Sequence, residues 1–68
     1  MVDLFQFQFA ERVRIIDIDG DEFVGKVIDI ADREDTIDGE YDEITISVDG
    51  TYIGFTSAEI SSIEEVEA

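Results

Sequence analysis

Two Asp-Gly dipeptides, at residues 19–20 and 49–50, constrain the fold of this chain more than any other feature. Each dipeptide separates two runs rich in Val, Ile, Phe and Tyr, which are residues 12–18 and 22–31 for the first and residues 44–48 and 51–55 for the second. Asp-Gly between two such runs favours a β-hairpin with a two-residue turn, because both central turn residues need positive φ. The sequence therefore predicts two hairpins and an all-β fold.

Three further features of the sequence complete the predicted fold. Gly25, inside the second run, indicates a sharp bend or a β-bulge. The segment "LFQFQF" (4–9) alternates Phe with Gln, which favours a strand with one aromatic face, although Phe5 and Phe9 also share a face in a short helix. After the last run, Thr56 and Glu59 have the spacing of a helix capping box, and we expect a helical turn leading into a short strand.

These segments predict one domain over residues 1–68. We expect a small, strongly bent, five-stranded β-barrel with an extra N-terminal strand or short helix. A single core is all that a chain of this length supports, since a domain near 60 residues buries only about 60% of the surface of its unfolded chain.

The charge of the chain limits its partners. Nineteen Asp and Glu residues oppose four Lys and Arg residues, for a formal net charge of −15. Binding to nucleic acid requires cations that replace the counterions of the phosphates, so we expect no direct binding to nucleic acid. The same charge predicts a basic protein partner. We also expect a cytoplasmic protein, because no signal peptide is evident and no apolar run approaches the roughly 20 residues of a membrane span.

The chain has no His and no Cys. It therefore lacks the commonest general base, the strongest side-chain nucleophile and the usual zinc ligands. The sequence predicts a protein that is not an enzyme and that has no cofactor.

The stretch "DIDGDEF" begins like a calcium-binding EF-hand loop, with Asp17, Asp19 and Asp21 at the first three ligand positions. The sixth position of that loop requires Gly and the twelfth a bidentate Glu. Glu22 and Ile28 occupy those positions here. The stretch is therefore interpreted as a hairpin turn, and no metal site is predicted.

The acidic connection, residues 32–43, is the candidate partner site. Its carboxylates resemble the phosphates of a nucleic acid in charge, and such an arrangement suits the basic groove of a nucleic-acid-binding protein. The alternative is a solvated loop that serves only solubility. The candidate partner-binding residues are Asp32, Glu34, Asp35, Asp38, Glu40, Asp42 and Glu43.

Residues 12–66 resemble the Sm-like (Lsm-type) small β-barrel family, most of all its uncharacterised members from Gram-positive bacteria and their phages. The resemblance rests on Gly20, Gly25 and Asp29 in the first hairpin and on the apolar spacing of Ile60 and Ile63 in the last segment. It implies a bent barrel whose second part ends in a short helical turn and a strand. It also implies a second functional reading, in which a homo-oligomeric ring is the working unit.

The chain departs from the RNA-binding members of that family at two places. They have an Asn shortly after the Asp that ends the first motif, and none follows Asp29 here. They have Arg-Gly at the second bend, where this chain has residues 56–58, "TSA". The departures remove the expectation of RNA binding and leave that of the fold. One acidic Sm-like family inhibits the transcription-termination factor Rho by blocking its RNA site, which fits the prediction of a basic partner.

Overall fold

The structure is a computed structural model that describes residues 4–35, 39 and 41–67. Its five strands are β1 (Arg12–Asp17), β2 (Glu22–Ala31), β3 (Glu43–Val48), β4 (Thr51–Thr56) and β5 (Ile60–Glu65). Three short 3₁₀ helices accompany them: an N-terminal helix (Leu4–Phe7), a middle helix (Arg33–Asp35) and a corner helix (Ser57–Glu59). The predicted all-β fold with five strands is confirmed. Among the described residues, no helix has the length and apolar character needed to cross a membrane.

All five strands lie in one antiparallel sheet with the order β4-β3-β2-β1-β5. The edge strands β4 and β5 are nevertheless joined by the three residues of the corner helix alone. In a flat sheet, β4 and β5 would lie four strand spacings apart, about 19 Å. The four residue steps from Thr56 to Ile60 span at most about 14 Å. The sheet must therefore curl until its two edges approach at this corner, in agreement with the predicted strong bend.

The concave face of the curled sheet holds the core. Phe23 on β2 and Phe55 on β4 are separated by strand β3, yet their ring centroids lie 5.1 Å apart across the concave side. The strands alternate inward apolar and outward polar residues, as expected for a sheet with one buried face. The buried hydrophobic residues are Leu4, Val13, Ile15, Ile44, Ile46, Phe55 and Ile60.

The hairpin between β3 and β4 has the turn that the sequence predicts. Val48 pairs with Thr51, so the loop contains only Asp49 and Gly50. Both residues have positive φ, 51° and 84°. These signs are those of a type I′ turn, whose twist matches the twist of the flanking strands.

The hairpin between β1 and β2 is confirmed, but the two-residue turn predicted for it is wrong. The Asp17 amide donates to the Asp21 carbonyl, and the Gly20 amide donates to the Asp17 carbonyl, both at 3.0 Å. Only Gly20 in this loop has positive φ. The loop therefore has three residues, 18–20, and Asp17 explains why: its Oδ1 accepts the amides of Asp19 and Asp21.

Gly25 marks a place of very close backbone contact. A Cβ atom at this position would lie 2.5 Å from the backbone oxygen of Ser47 on β3 and 3.0 Å from a methyl group of Val48. The bulge on β2 itself lies further along, where the pairing with β3 shifts between Val27 and Asp29. Together these two features bend β2 over β3, as the prediction at Gly25 required.

The expectation of a strand over residues 4–9 is wrong, and the short helix is the form observed. Leu4–Phe7 is a 3₁₀ helix, followed by a turn in which the Ala10 amide donates to the Phe7 carbonyl at 3.0 Å. Leu4 is fully buried in the core, whereas Phe9 is 91% exposed. In a strand, Leu4 would point to the face opposite Phe5, Phe7 and Phe9. The burial of Leu4 would therefore turn the aromatic face away from the core, and the alternating pattern does not form a strand.

Candidate acidic interaction site

The acidic connection lies at the end of the β2–β3 pair, and its first part is exposed. Asp32 and Glu34 lie at the surface, as does Asp29, which precedes the connection on β2. Asp32 Oδ1 accepts the Glu34 amide at 3.2 Å, which turns the chain into the middle helix. These three carboxylates therefore point into solvent from a locally ordered backbone.

Asp42 has a structural position at the other end of the connection. Its Oδ1 accepts the Arg33 amide at 2.9 Å, and its carbonyl accepts the Ser57 amide at 2.9 Å. Asp42 is half-buried, and Ser57 is buried. The residue thereby ties the middle helix to the corner helix, a role that the sequence did not reveal because it depends on contacts between distant segments.

Glu43, the first residue of β3, is half-buried and pairs with Ala31 on β2 and Thr56 on β4. Its carboxyl group lies beside Gly54, since a Cβ atom on Gly54 would be 3.7 Å from the Glu43 carboxyl carbon. The Glu43 carboxylate thus lies over β4, where the absence of a side chain leaves room for it.

The remaining predicted residues are only partly covered by the structure. Asp35 is the last residue of the middle helix. Asp38 and Glu40 lie outside the described residues. All seven partner-binding residues stay predictions, of which Asp32 and Glu34 have the most accessible carboxylates described.

The two ion pairs of Arg14 lie away from this surface. Arg14 pairs with Glu22, at 3.4 Å, and with Glu64. Asp29, Asp32 and Glu34 form no ion pair with another described residue. Because solvent-exposed charges closer than a Debye length of about 8 Å are incompletely screened at physiological salt, neighbouring carboxylates here add to one negative potential.

A shallow depression of about 240 Å³ lies next to Asp29, between the N-terminal helix and the bulge of β2. Phe5, Gln8 and residues 27–30 line it. The exposed lining of the depression is mostly polar and includes one carboxylate, which suits the charged end of a basic side chain.

The loop that resembled a calcium site uses its first carboxylate for backbone contacts. Asp17 Oδ1 accepts the amides of Asp19 and Asp21, at 3.0 and 2.9 Å. No group of three or more Asp and Glu side chains within the described ranges converges in a way that would hold a metal ion. The hairpin turn thus accounts for the carboxylate of Asp17.

A scan against protein-family models, a search of curated proteins and a search of solved structures each found no match to this chain.

Proposed function

We propose that this protein is a non-enzymatic acidic binding module that contacts a basic protein partner. The partner class that fits best is a nucleic-acid-binding protein, whose basic groove the acidic connection would occupy in place of phosphates. The observation that supports this proposal is the exposure of Asp29, Asp32 and Glu34, none of which forms an ion pair with another described residue. Association of this kind is electrostatically steered, and is therefore fast and sensitive to salt.

We also propose that the fold is Sm-like. Three observations support the assignment: the Gly20 turn in the first hairpin, the close contact at Gly25, and the corner helix followed by β5. Gly20 and Gly25 are among the residues that carry the sequence resemblance, and β5 contains Ile60 and Ile63. The acidity of the chain and the absence of an Asn after Asp29 favour a protein partner over RNA within this assignment.

The test compares two variants of equal charge. The site variant is Asp29→Asn, Asp32→Asn and Glu34→Gln, in which the side-chain amide introduced at position 32 retains an oxygen that can accept the Glu34 amide. The control variant is Asp19→Asn, Glu65→Gln and Glu67→Gln, at exposed positions outside residues 29–43. Each variant removes three negative charges. Glu64 is left unchanged because it pairs with Arg14.

Each protein is immobilised and exposed to a nuclease-treated lysate of the cells that produce it, and bound proteins are eluted with a salt gradient. We expect the wild type and the control variant to retain one basic protein to moderate salt, and the site variant to release it at markedly lower salt. Equal retention by the two variants would contradict a localised acidic site. Elution of bulk basic proteins at low salt from all three would contradict the module itself.

A homo-oligomer is the second candidate function, and strand β4 favours it. Its sequence, "TYIGFT", has no charged residue, and β4 is an edge of the sheet. An uncharged edge strand presents free backbone groups that can pair with another chain. The opposite edge, β5, ends in two glutamates.

Light scattering measures this alternative directly. A mass that corresponds to a ring at physiological salt would support the oligomer as the working unit. The fraction of assembled protein should then rise as added salt screens the charge. A monomer throughout would leave the acidic module as the function.

A further inference from the structure

The outward face of the sheet carries a row of side chains that the acidic connection does not use. Arg12 on β1 lies directly opposite Lys26 on β2, Lys26 lies opposite Ser47 on β3, and Ser47 lies opposite Tyr52 on β4. Residues directly opposite each other point to the same face of a sheet. We call Arg12, Lys26, Ser47 and Tyr52 the outer row.

The outward face of β1 and β2 carries three of the four cations of the chain, two of them in the outer row. Of the four basic residues, Arg12, Arg14 and Lys26 occupy the outward face of two adjacent strands. Like charges directly opposite each other on neighbouring strands are destabilising. The ion pairs of Arg14 account for one of these three cations but not for the placement of Arg12 opposite Lys26.

Arg14 shows how a structural cation behaves in this sheet. It forms ion pairs with Glu22 and Glu64, on the strands to either side of it. Arg12 and Lys26 are exposed and form no ion pair with any residue that the structure describes. The two cations are therefore available to an external anion.

Apolar surface continues from these cations. Tyr52 is 68% exposed, and Val24, which pairs with Arg14, is 41% exposed. Tyr and Arg are enriched among the residues that dominate binding energy in protein interfaces. An exposed Tyr in line with two unpaired cations is thus suited to a ligand that is partly anionic and partly apolar.

We propose that the outer row binds an acidic segment of a protein partner. A carboxylate of that segment lies between Arg12 and Lys26, and an apolar side chain packs on Tyr52. The point midway between Arg12 and Lys26 is about two and a half strand spacings from Tyr52, about 12 Å, and an extended peptide advances about 3.3 Å per residue. The segment therefore has its acidic and apolar residues about three or four positions apart, and runs across the strands of the sheet.

The charge of the chain selects a peptide over a nucleic acid at this row. A polyanion would place many phosphates in the field of a protein with net charge −15, with two unpaired cations to receive them. A segment with one or two carboxylates needs only the local pair. The inference does not depend on the proposed function of the acidic connection, which lies at the opposite end of the β2–β3 pair.

The experiment is a selection of displayed random peptides against the intact protein, followed by affinity measurements on a synthetic peptide of the enriched sequence. We expect enriched peptides with Asp or Glu about three or four positions from an aromatic or aliphatic residue. Arg12→Gln with Lys26→Gln should weaken their binding about tenfold or more, and Tyr52→Ala should weaken it less. The charge-matched control is Arg33→Gln with Ala58→Glu, at positions near Asp42, and should change binding by less than about twofold.

Two further measurements keep the test independent of folding. Urea unfolding checks that the double variant is folded, as we expect from the removal of a like-charge contact. Lys26 is the only lysine of the chain, so its side-chain NMR signal in the wild type is unambiguous and should shift when the peptide is added.

Three results would overturn the proposal. The first is enrichment of basic peptides or of none. The second is a failure of either control measurement: the double variant and the control weaken binding equally, or the Lys26 signal does not shift with saturating peptide. The third is binding of uridine-rich RNA that the double variant abolishes, since the row would then be a phosphate site.

Discussion

The two Asp-Gly hairpins of this protein look alike in sequence and differ in structure. In the hairpin between β3 and β4, Asp49 and Gly50 both have positive φ and form the entire loop. In the hairpin between β1 and β2, only Gly20 has positive φ, and the loop is one residue longer. The difference comes from Asp17, whose carboxylate accepts two loop amides, whereas no described side chain accepts an amide of the second loop.

That additional loop residue decides which side chains share a face. A two-residue loop at 19–20 would place Arg12 opposite Val27, whereas the observed loop places it opposite Lys26. A shift of one residue in a strand exchanges its two faces. The carboxylate of Asp17 thus helps to fix the register that aligns Arg12 with Lys26 and keeps Val13 and Ile15 in the core.

The largest effect on the first hairpin should come from Gly25→Ala. The new methyl group would lie 2.5 Å from the Ser47 carbonyl oxygen, which is backbone and cannot rotate away. We expect a loss of about 2–3 kcal/mol in the free energy of unfolding, measured by urea denaturation. Gly54→Ala is the matched control, because its methyl group would meet only the Glu43 carboxyl at ordinary contact distance. The control should gain about 0.5 kcal/mol, and a similar loss in both variants would contradict the close contact at Gly25.

Asp17→Ala tests the carboxylate that distinguishes the two loops. It deletes the acceptor of two amides, and we expect a loss of about 1–2 kcal/mol in the free energy of unfolding. NMR contacts between the backbones of Arg12 and Lys26 should persist, because a shift of register would move Val13 and Ile15 out of the core. Asp17→Asn, which keeps an acceptor oxygen, should lose less stability. Unchanged stability in the Ala variant would show that the loop does not depend on this carboxylate.

Gly20→Ala and Gly50→Ala should have nearly equal effects. Neither position has an atom within 4 Å of an added Cβ, so the cost is that of positive φ alone. We expect each variant to lose about 1 kcal/mol in thermal or urea unfolding. A much larger loss at one glycine would mean that its loop has contacts beyond those observed.

The smallest effects on stability should come from replacing the aspartate of each Asp-Gly pair, Asp49 or Asp19, with Ala. Asp49 has φ of 51°, which Ala tolerates less well than Asp, so Asp49→Ala should lose about 0.5 kcal/mol. Asp19 has no positive φ and contributes only its backbone amide to the loop, so Asp19→Ala should change stability by less than about 0.3 kcal/mol. Both variants are measured by urea denaturation under the same conditions. A larger loss for Asp19→Ala than for Asp49→Ala would contradict the φ values assigned to the two loops.

Much of the fold was predictable because it depends on local patterns. The β-rich runs predicted four strands to within one residue at each end. The spacing of Thr56 and Glu59 predicted the corner helix, where Glu59 Oε1 accepts the Thr56 amide. The N-terminal segment was not predictable from its period, because the burial of Leu4 depends on the rest of the core. The turn between β1 and β2 was mistaken since the acceptor that widens it, Asp17, lies outside the Asp-Gly pair.

The candidate site was predictable in composition but not in arrangement. The sequence shows a cluster of carboxylates over residues 32–43, and the exposure of Asp32 and Glu34 agrees with a solvated surface. It does not show that Asp42 is committed to backbone contacts, nor that Glu43 lies over Gly54. The outer row was equally hidden, because Arg12, Lys26 and Tyr52 are far apart in sequence and meet only through the strand register.

The link from Asp42 to Ser57 has a practical consequence for observing the protein at work. The Ser57 amide is buried in the corner between the two edge strands, and its hydrogen bond ends on the acidic connection. Its hydrogen-exchange rate therefore reports the local opening of that connection. A basic partner that clamps the connection should slow this exchange, whereas a ligand on the outer row should leave it unchanged. One amide can thus distinguish occupancy at one end of the molecule from occupancy on its outward face.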